Sequence, residues 1–523
     1  MATINCQLSI SMSKLKITRI IIAVCVIWIT TLFFVDFHQS APNGIHALFH
    51  LQLVPALLAG SVLIIVFWIL LTLLFGRIYC SFICPAGIFQ DIFIRLSKRG
   101  KLKKNKKKRW FSYHKPMNIF RYALLGAALL LLIFGSSHLF LYLDPYSNYG
   151  RIAANIFRPI VIFGNNLLAD GMMLMNNYSL YRISIFNITV ASFITAVIAL
   201  LVFAILPVLR GRLFCNTLCP VGAFLSIFSR YSLFRVSFDK ESCNNCGLCE
   251  RSCKSECINS QEQMVDASRC VSCFNCLSSC KKRDAIHYRF ALPFQKKEVV
   301  KKEVAQESRR TFLAMGGTIL ATAPFIYGCS GKRNTDGSAS FPVLPPGAGN
   351  LNHFSEKCTA CHLCVAKCPN QIIHPSGLEY GLGFLLKPKL VYKTGYCNYE
   401  CTICADVCPN GALTHLTKDE KAHVQLGIAH FERDICVVYR DETDCGACAE
   451  HCPTQAVKMV HYKDSLRIPQ VTANICIGCG GCEYICPVRP ERAIRVIADK
   501  EQKHADKPEY EKVEEVEDID FGF

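Results

Sequence analysis

The chain has 523 residues, 51% of them hydrophobic, with a formal net charge of +18 and 32 cysteines. An apolar chain of this length with a basic excess reads as a membrane protein whose basic loops stay in the cytoplasm. It does not fit a small secreted disulfide scaffold, and the longest basic run lies between two apolar spans, which argues against nucleic acid as the partner.

Four apolar stretches reach the roughly 20 residues that cross a bilayer: 20–37, 54–75, 119–141 and 185–209. A fifth, 311–328, is shorter and uncharged. Lys14, Lys16 and Arg19 precede the first span, the loop 37–52 has no Lys or Arg, the run 95–109 follows the second, and Arg210 and Arg212 follow the fourth. The positive-inside rule then puts the N-terminus, the basic loop and 210–310 in the cytoplasm of an inner-membrane protein. With five spans, everything after Gly328 is periplasmic. Residues 330–523 are net acidic, in keeping with that side.

The membrane region repeats itself. Gly76, Arg77, Cys80, Cys84, Pro85 and Gly87 recur 135 residues later as Gly211, Arg212, Cys215, Cys219, Pro220 and Gly222. Each copy follows an even-numbered span, so two helix pairs related by an axis along the membrane normal are expected. The expected fold is an α-helical membrane protein, a four-helix pseudo-symmetric bundle plus one further span, carrying two ferredoxin-like α+β iron–sulfur domains.

The cysteines give the domains. A four-span membrane domain, 1–235, holds the two Cys-x-x-x-Cys-Pro motifs. A cytoplasmic ferredoxin domain, 236–300, has the runs Cys243, Cys246, Cys249, Cys253 and Cys270, Cys273, Cys276, Cys280. Thiolates at these spacings wrap 4Fe–4S cubes, with the fourth cysteine of each run serving the other cube. Zinc uses two separated Cys-x-x-Cys pairs instead. The expected sets are therefore Cys243, Cys246, Cys249 with Cys280, and Cys270, Cys273, Cys276 with Cys253.

Residues 301–329 contain Ser308-Arg309-Arg310-Thr311-Phe312-Leu313 before the fifth span, which resembles a twin-arginine export signal. Such an exporter accepts a folded, cluster-loaded domain. Cys329, after Ile326-Tyr327-Gly328, loosely resembles a lipoprotein cleavage box. Residues 330–350 read as a flexible linker, 351–500 as a periplasmic four-cluster domain, and 501–523 as a charged, acidic tail. The four external runs are Cys358, Cys361, Cys364, Cys368; Cys397, Cys401, Cys404, Cys408; Cys436, Cys445, Cys448, Cys452; and Cys476, Cys479, Cys482, Cys486. Two pairings remain open: adjacent runs exchanging fourth cysteines, or the first run with the fourth and the second with the third.

Six cubes use all of these cysteines. The motif cysteines Cys80, Cys84, Cys215 and Cys219 remain, and only Cys6, Cys25, Cys257 and Cys329 are left over. Cys-x-x-x-Cys puts both thiols on one helix face, and four convergent thiolates would make a further metal or iron–sulfur site. The alternative is structural, with small residues where helices pack closely and Pro opening the next helix.

Residues 1–300 resemble the NapH-type membrane subunit in their spans, paired motifs and two cytoplasmic cysteine runs. Residues 305–490 resemble the NapG/MauM-type ferredoxin in their twin arginine and four further runs. The resemblance implies a fusion of two subunits that form a quinol dehydrogenase of a respiratory chain, passing electrons from the quinol pool through six 4Fe–4S clusters to a periplasmic redox protein or reductase. Quinone is then a substrate, with His38, His46, His50, His138 and Asp144 as polar groups at the outer ends of spans. The membrane half also resembles the NosR and CcoG groups, which implies a second role as a maturation or regulatory redox factor, and the two cytoplasmic cysteine runs leave open a relay from a cytoplasmic electron donor.

Overall fold

The computed structural model describes residues 12–39, 43–99, 111–239, 241–280, 285–291, 332–333 and 339–507. The twin arginine, the expected fifth span, Cys6, Cys329 and the tail from 508 lie outside the described residues, as does most of the basic run.

Among the described residues, three helices are long and apolar enough to cross a membrane: Lys14–Val35, Pro145–Met173 and Val190–Arg210. The first and third fall on the expected spans 20–37 and 185–209. The other two expected spans are each broken. Residues 54–75 divide into Leu53–Leu58 and Val62–Phe75, because Gly60 turns the chain at φ +74°. Residues 119–141 divide into Asn118–Ile133 and His138–Leu143 at Gly135, also at φ +74°. A left-handed glycine ends a helix cheaply, and a hydropathy average runs straight across it.

The helix Pro145–Met173 was not among the expected spans. It opens with proline at its first position, and Asp144 caps it by accepting from the Ser147 amide at 2.8 Å. Asn148, Arg151, Asn155 and Arg158 recur at helical spacing and are all buried, while Ile160, Phe163 and Leu167 on the other side are exposed. The helix is polar toward the protein and apolar outward. A mean hydropathy blurs the two faces into an ordinary value.

Behind each repeat motif runs a helix that starts at the motif proline, Pro85–Arg99 and Pro220–Ser229. The first packs on Val190–Arg210 and the second on Val62–Phe75, so each copy's helix leans on the other copy's preceding helix. One hydrophobic core joins Phe34, Phe49, Tyr146 and Phe203 to Cys80, Cys84, Cys215 and Cys219. That core also takes in Cys273 from the first ferredoxin module and Leu363, Ala366 and Val407 from the second.

Both ferredoxin modules are built from short helices and two-stranded antiparallel ladders. Phe234–Phe238 pairs with Ile286–Phe290 in the first, and Ile428–Phe431 with Ile494–Ile497 in the second. The second module extends past the expected 351–500 at both ends. Leu344 and Ala348, in the stretch assigned to a flexible linker, are buried in its core. Lys503–His504, in the stretch assigned to the tail, pairs with Val424–Gln425. Proline and glycine made the first stretch look loose, although its contacts are tertiary.

Candidate iron–sulfur centres and the junction between them

The regular cysteine runs share one local shape. The residue after the second cysteine is left-handed: Gly247 at φ +70°, Phe274 at +60°, His362 at +62° and Gly480 at +79°. A short helix follows each, and its C-cap is the fourth cysteine of the run, Cys253, Cys280, Cys368 or Cys486. Such a turn points successive amides into one concavity, which suits an anionic group. The second and third external runs, whose first spacing is longer, lack it: Thr402 and Gly446 have negative φ.

In the second module the thiols surround hollows. Cys397, Cys401 and Cys404 line a cavity of about 350 Å³ together with Cys368. Cys436, Cys445 and Cys448 line one of about 360 Å³ with Cys486, and Cys476, Cys479 and Cys482 line one of about 280 Å³ with Cys452. Cys358, Cys361 and Cys364 have Cys408 as their electrostatic neighbour. Adjacent runs therefore exchange their fourth cysteines, and of the two pairings open in the sequence the structure assembles this one. Burial pushes the thiols of Cys358 and Cys479 up to about 12 and that of Cys368 up to about 11. Four crowded, buried sulfurs become thiolates only against cationic iron, so the donor set fits a cluster. Among the described residues no three His, Cys, Asp or Glu side chains converge closely enough for a single metal ion.

In the first module Cys249 has Cys280, Cys243 and Cys246 as neighbours, and Cys276 has Cys273, Cys270 and Cys253. These are the two expected sets. The sequence reading passed over Cys257. Its sulfur lies 3.5 Å from that of Cys253 and also reaches Cys270. Donation from Cys257 pulls the Cys253 thiol down to about 7. The spacing Cys253-x-x-x-Cys257 was the available signal. Cys253→Ser is expected to keep its cluster through Cys257, and only the double change with Cys257→Ser to lose about four irons. Iron counts with electron paramagnetic resonance check this, and loss in the single variant would show that Cys257 cannot substitute.

The four motif cysteines are all buried and lie within electrostatic reach of one another. The two copies hold each other by matching bonds. Arg77 Nη2 donates to the Cys215 carbonyl at 3.0 Å, and Arg212 Nη1 to the Cys80 carbonyl at 2.5 Å. Gly87 and Gly222 make room. A Cβ on Gly87 would stand 2.3 Å from the Cys80 carbonyl oxygen, and one on Gly222 2.0 Å from that of Cys215.

The arginines differ in their counter-charge. Arg212 Nε meets Asp91 Oδ1 at 3.0 Å, and Arg19 and Lys254 converge on the same carboxylate. Burial alone would raise the Asp91 carboxyl, yet Arg212, Lys254 and Arg19 hold it well below the usual range. Arg77 is fully buried and bonds Asn216, the Ser268 carbonyl and, at 3.7 Å, the Cys80 sulfur. Among the described residues it has no carboxylate partner within ion-pair distance.

The first external run sits directly on the membrane half. Lys367 Nζ reaches Asp36 at 2.8 Å and lies 4.1 Å over the Phe33 ring. Ser147 Oγ donates to Thr359 at 2.7 Å and Asn187 to the Val365 carbonyl at 2.8 Å. Asn155 Nδ2 meets His362 Nδ1 at 3.1 Å, while His362 Nε2 meets the Leu386 carbonyl at 3.0 Å. The polar face of Pro145–Met173 therefore points at this run. Of the polar groups expected at outer span ends, Asp144 is committed to its helix cap. His46 and His50 face each other at 6.1 Å, His38 rests on Phe37 and Tyr181, and His138 opens its own short helix.

A 4Fe-4S binding domain model matches residues 57–105 and again 192–240, the same two copies at the same offset of 135. Two 4Fe-4S dicluster domain models match 357–413, which spans the first adjacent pair of runs, and 443–490, which spans the second pair from Cys445 onward. The methylamine utilization ferredoxin-type protein MauM of Methylophilus methylotrophus is 31% identical over 215 residues, covering 38% of this chain and 88% of that protein. The chain belongs to the MauM-type ferredoxin family. The ferredoxin-type protein NapG of Escherichia coli is 29% identical over 207 residues, 37% of this chain and 86% of NapG. NapF of the same organism is 28% identical over 151 residues, 29% of this chain and 83% of NapF. No solved structure matches. The chain is a Nap/Mau-type ferredoxin fusion with apolar helices suited to membrane association and an iron–sulfur electron-transfer role.

Proposed function

We propose that this MauM-type chain is a membrane-bound relay that takes electrons from quinol and delivers them to a periplasmic redox partner. Its membrane half plays the part of a NapH-type subunit. Six clusters occupy the ferredoxin sets, with Cys243–Cys280 on the cytoplasmic side and Cys358–Cys486 outside. The motif cysteines Cys80, Cys84, Cys215 and Cys219 hold a seventh. Arg77 supports that last assignment: a buried guanidinium without a carboxylate needs an anion, and a cluster on four thiolates is one. The matching arginine bonds support a pseudo-two-fold arrangement of the two helix pairs.

The observation that carries the relay is the continuous core. Cys273, the four motif cysteines and the seat of the first external run belong to one packed unit. When bound, a 4Fe–4S cube supplies a one-electron carrier whose potential follows its hydrogen bonds and burial. The chain's own residues fix positions: Arg77 and Arg212 clamp the two motifs, and Asn155, Asn187 and Lys367 seat the first external set.

The contact of Cys273 with that core also favours the second reading, entry from a cytoplasmic donor. Inverted membrane vesicles separate the two. A quinol analogue is expected to bleach the visible absorption of the external clusters. If those clusters stay oxidised with quinol yet reduce through a cytoplasmic-side donor, the quinol reading fails and the second takes its place.

A further inference from the structure

The end of the membrane helix Val190–Arg210 faces the first ferredoxin module across a polar cavity of about 560 Å³. Its lining includes Lys115, Arg210, Arg269 and Ser255, together with the pair His114 and Glu256. Glu256 is the one acid there, and His114 Nδ1 lies 2.9 Å from its carboxylate. Arg269 gives Nε to Asp266 at 2.7 Å and Nη1 to the His114 carbonyl at 2.8 Å. Its Nη2 is buried without a hydrogen-bond partner, and so is the Ser255 hydroxyl oxygen. Both residues are at most 5% exposed.

Two buried groups that can donate, with nothing to receive them, cost free energy unless an acceptor enters the cavity. Lys115, Arg210 and the Arg269 guanidinium itself select an anionic acceptor, and the one free guanidinium nitrogen together with the Ser255 hydroxyl offers two donors to phosphate oxygens. The surroundings select its source. Arg210 is the last residue of a membrane-length helix. Met117, in the lining, and Ile119 beyond it are exposed where the apolar helix Asn118–Ile133 begins. An anion seated here therefore has an apolar helix surface beside it for acyl chains.

We propose that this cavity binds the phosphate group of an acidic phospholipid. Arg269 Nη2 and Ser255 Oγ donate to the phosphate oxygens, and Lys115 and Arg210 supply the flanking charge. The bound lipid ties the end of a membrane helix to the ferredoxin module. The site stands independently of the quinol reading.

The test uses the full, cluster-loaded chain in detergent, titrated with phosphatidylglycerol, phosphatidylcholine or inorganic phosphate and read by native mass spectrometry. Phosphatidylglycerol is expected to bind at least tenfold more tightly than phosphatidylcholine. Lys115→Gln with Arg210→Gln, two exposed positions, is expected to weaken it roughly 30-fold, from about fivefold per basic residue near an anionic lipid. An unchanged cluster spectrum in that variant shows that it has folded. Equal binding of the two lipids, or unchanged affinity in a folded variant, overturns the proposal. Inorganic phosphate that binds as tightly and displaces phosphatidylglycerol assigns the cavity to a free anion and overturns the lipid as occupant.

Discussion

Cys408→Ser is expected to remove about four irons and to disconnect the external domain from the membrane half. Cys408 stands in the second external run, but its sulfur belongs with Cys358, Cys361 and Cys364. That set lies over the seat formed by Asp36, Ser147, Asn155 and Asn187. The set Cys368, Cys397, Cys401 and Cys404 should stay loaded, as should the two sets formed by 436–486. Iron and sulfide counts with low-temperature electron paramagnetic resonance identify the missing signal. In membranes the remaining external clusters should no longer reduce from the membrane side, while dithionite still reduces them. Loss of the centre built on Cys397, Cys401 and Cys404 instead would mean that the exchange of fourth cysteines has been misassigned.

Asp91→Asn is expected to cost the membrane half at least the roughly 3–5 kcal/mol of a broken buried ion pair, a large share of a typical domain's stability. One carboxylate there answers Arg19 from the first helix, Arg212 from the second motif and Lys254 from the ferredoxin module. Amidation keeps the shape and leaves three buried cations facing one another. Thermal unfolding of the purified chain in detergent reads the loss, and a shift worth less than about 1 kcal/mol, the range of an exposed pair, would refute the central role. The pH dependence has a definite sign. The folded pKa of Asp91 lies below its unfolded value, so its contribution is fully present above the ordinary carboxylate range near pH 4. It is lost as pH falls through the lower folded value.

Local chemistry was legible in the sequence, and long-range choice was not. The cysteine spacings picked out the runs whose thiols gather into sets in the structure, because thiols on one turn form a local object. The fourth cysteine is a tertiary partner, so the pairing of the external runs had to come from the fold. The repeat was legible in the sequence, whereas the bonds by which its arginines join the two copies are tertiary and were not. The helix Pro145–Met173 was missed because its stripe of Asn148, Arg151, Asn155 and Arg158 depresses an average that ignores which way a side chain faces. Cys257 was set aside by arithmetic: with six cubes already supplied it counted as surplus, whereas in the structure it touches Cys253.

The inward polar stripe bears on biogenesis. A helix that buries Arg151, Asn155 and Arg158, with Asn155 against His362, is an unfinished surface until the second ferredoxin module packs on it, since buried polar groups without partners are costly. Two separate polypeptides would leave half-made membrane partners whenever their supply fell out of step. Joined in one chain, every membrane half is synthesised with its own cover, and an orphan subunit cannot arise.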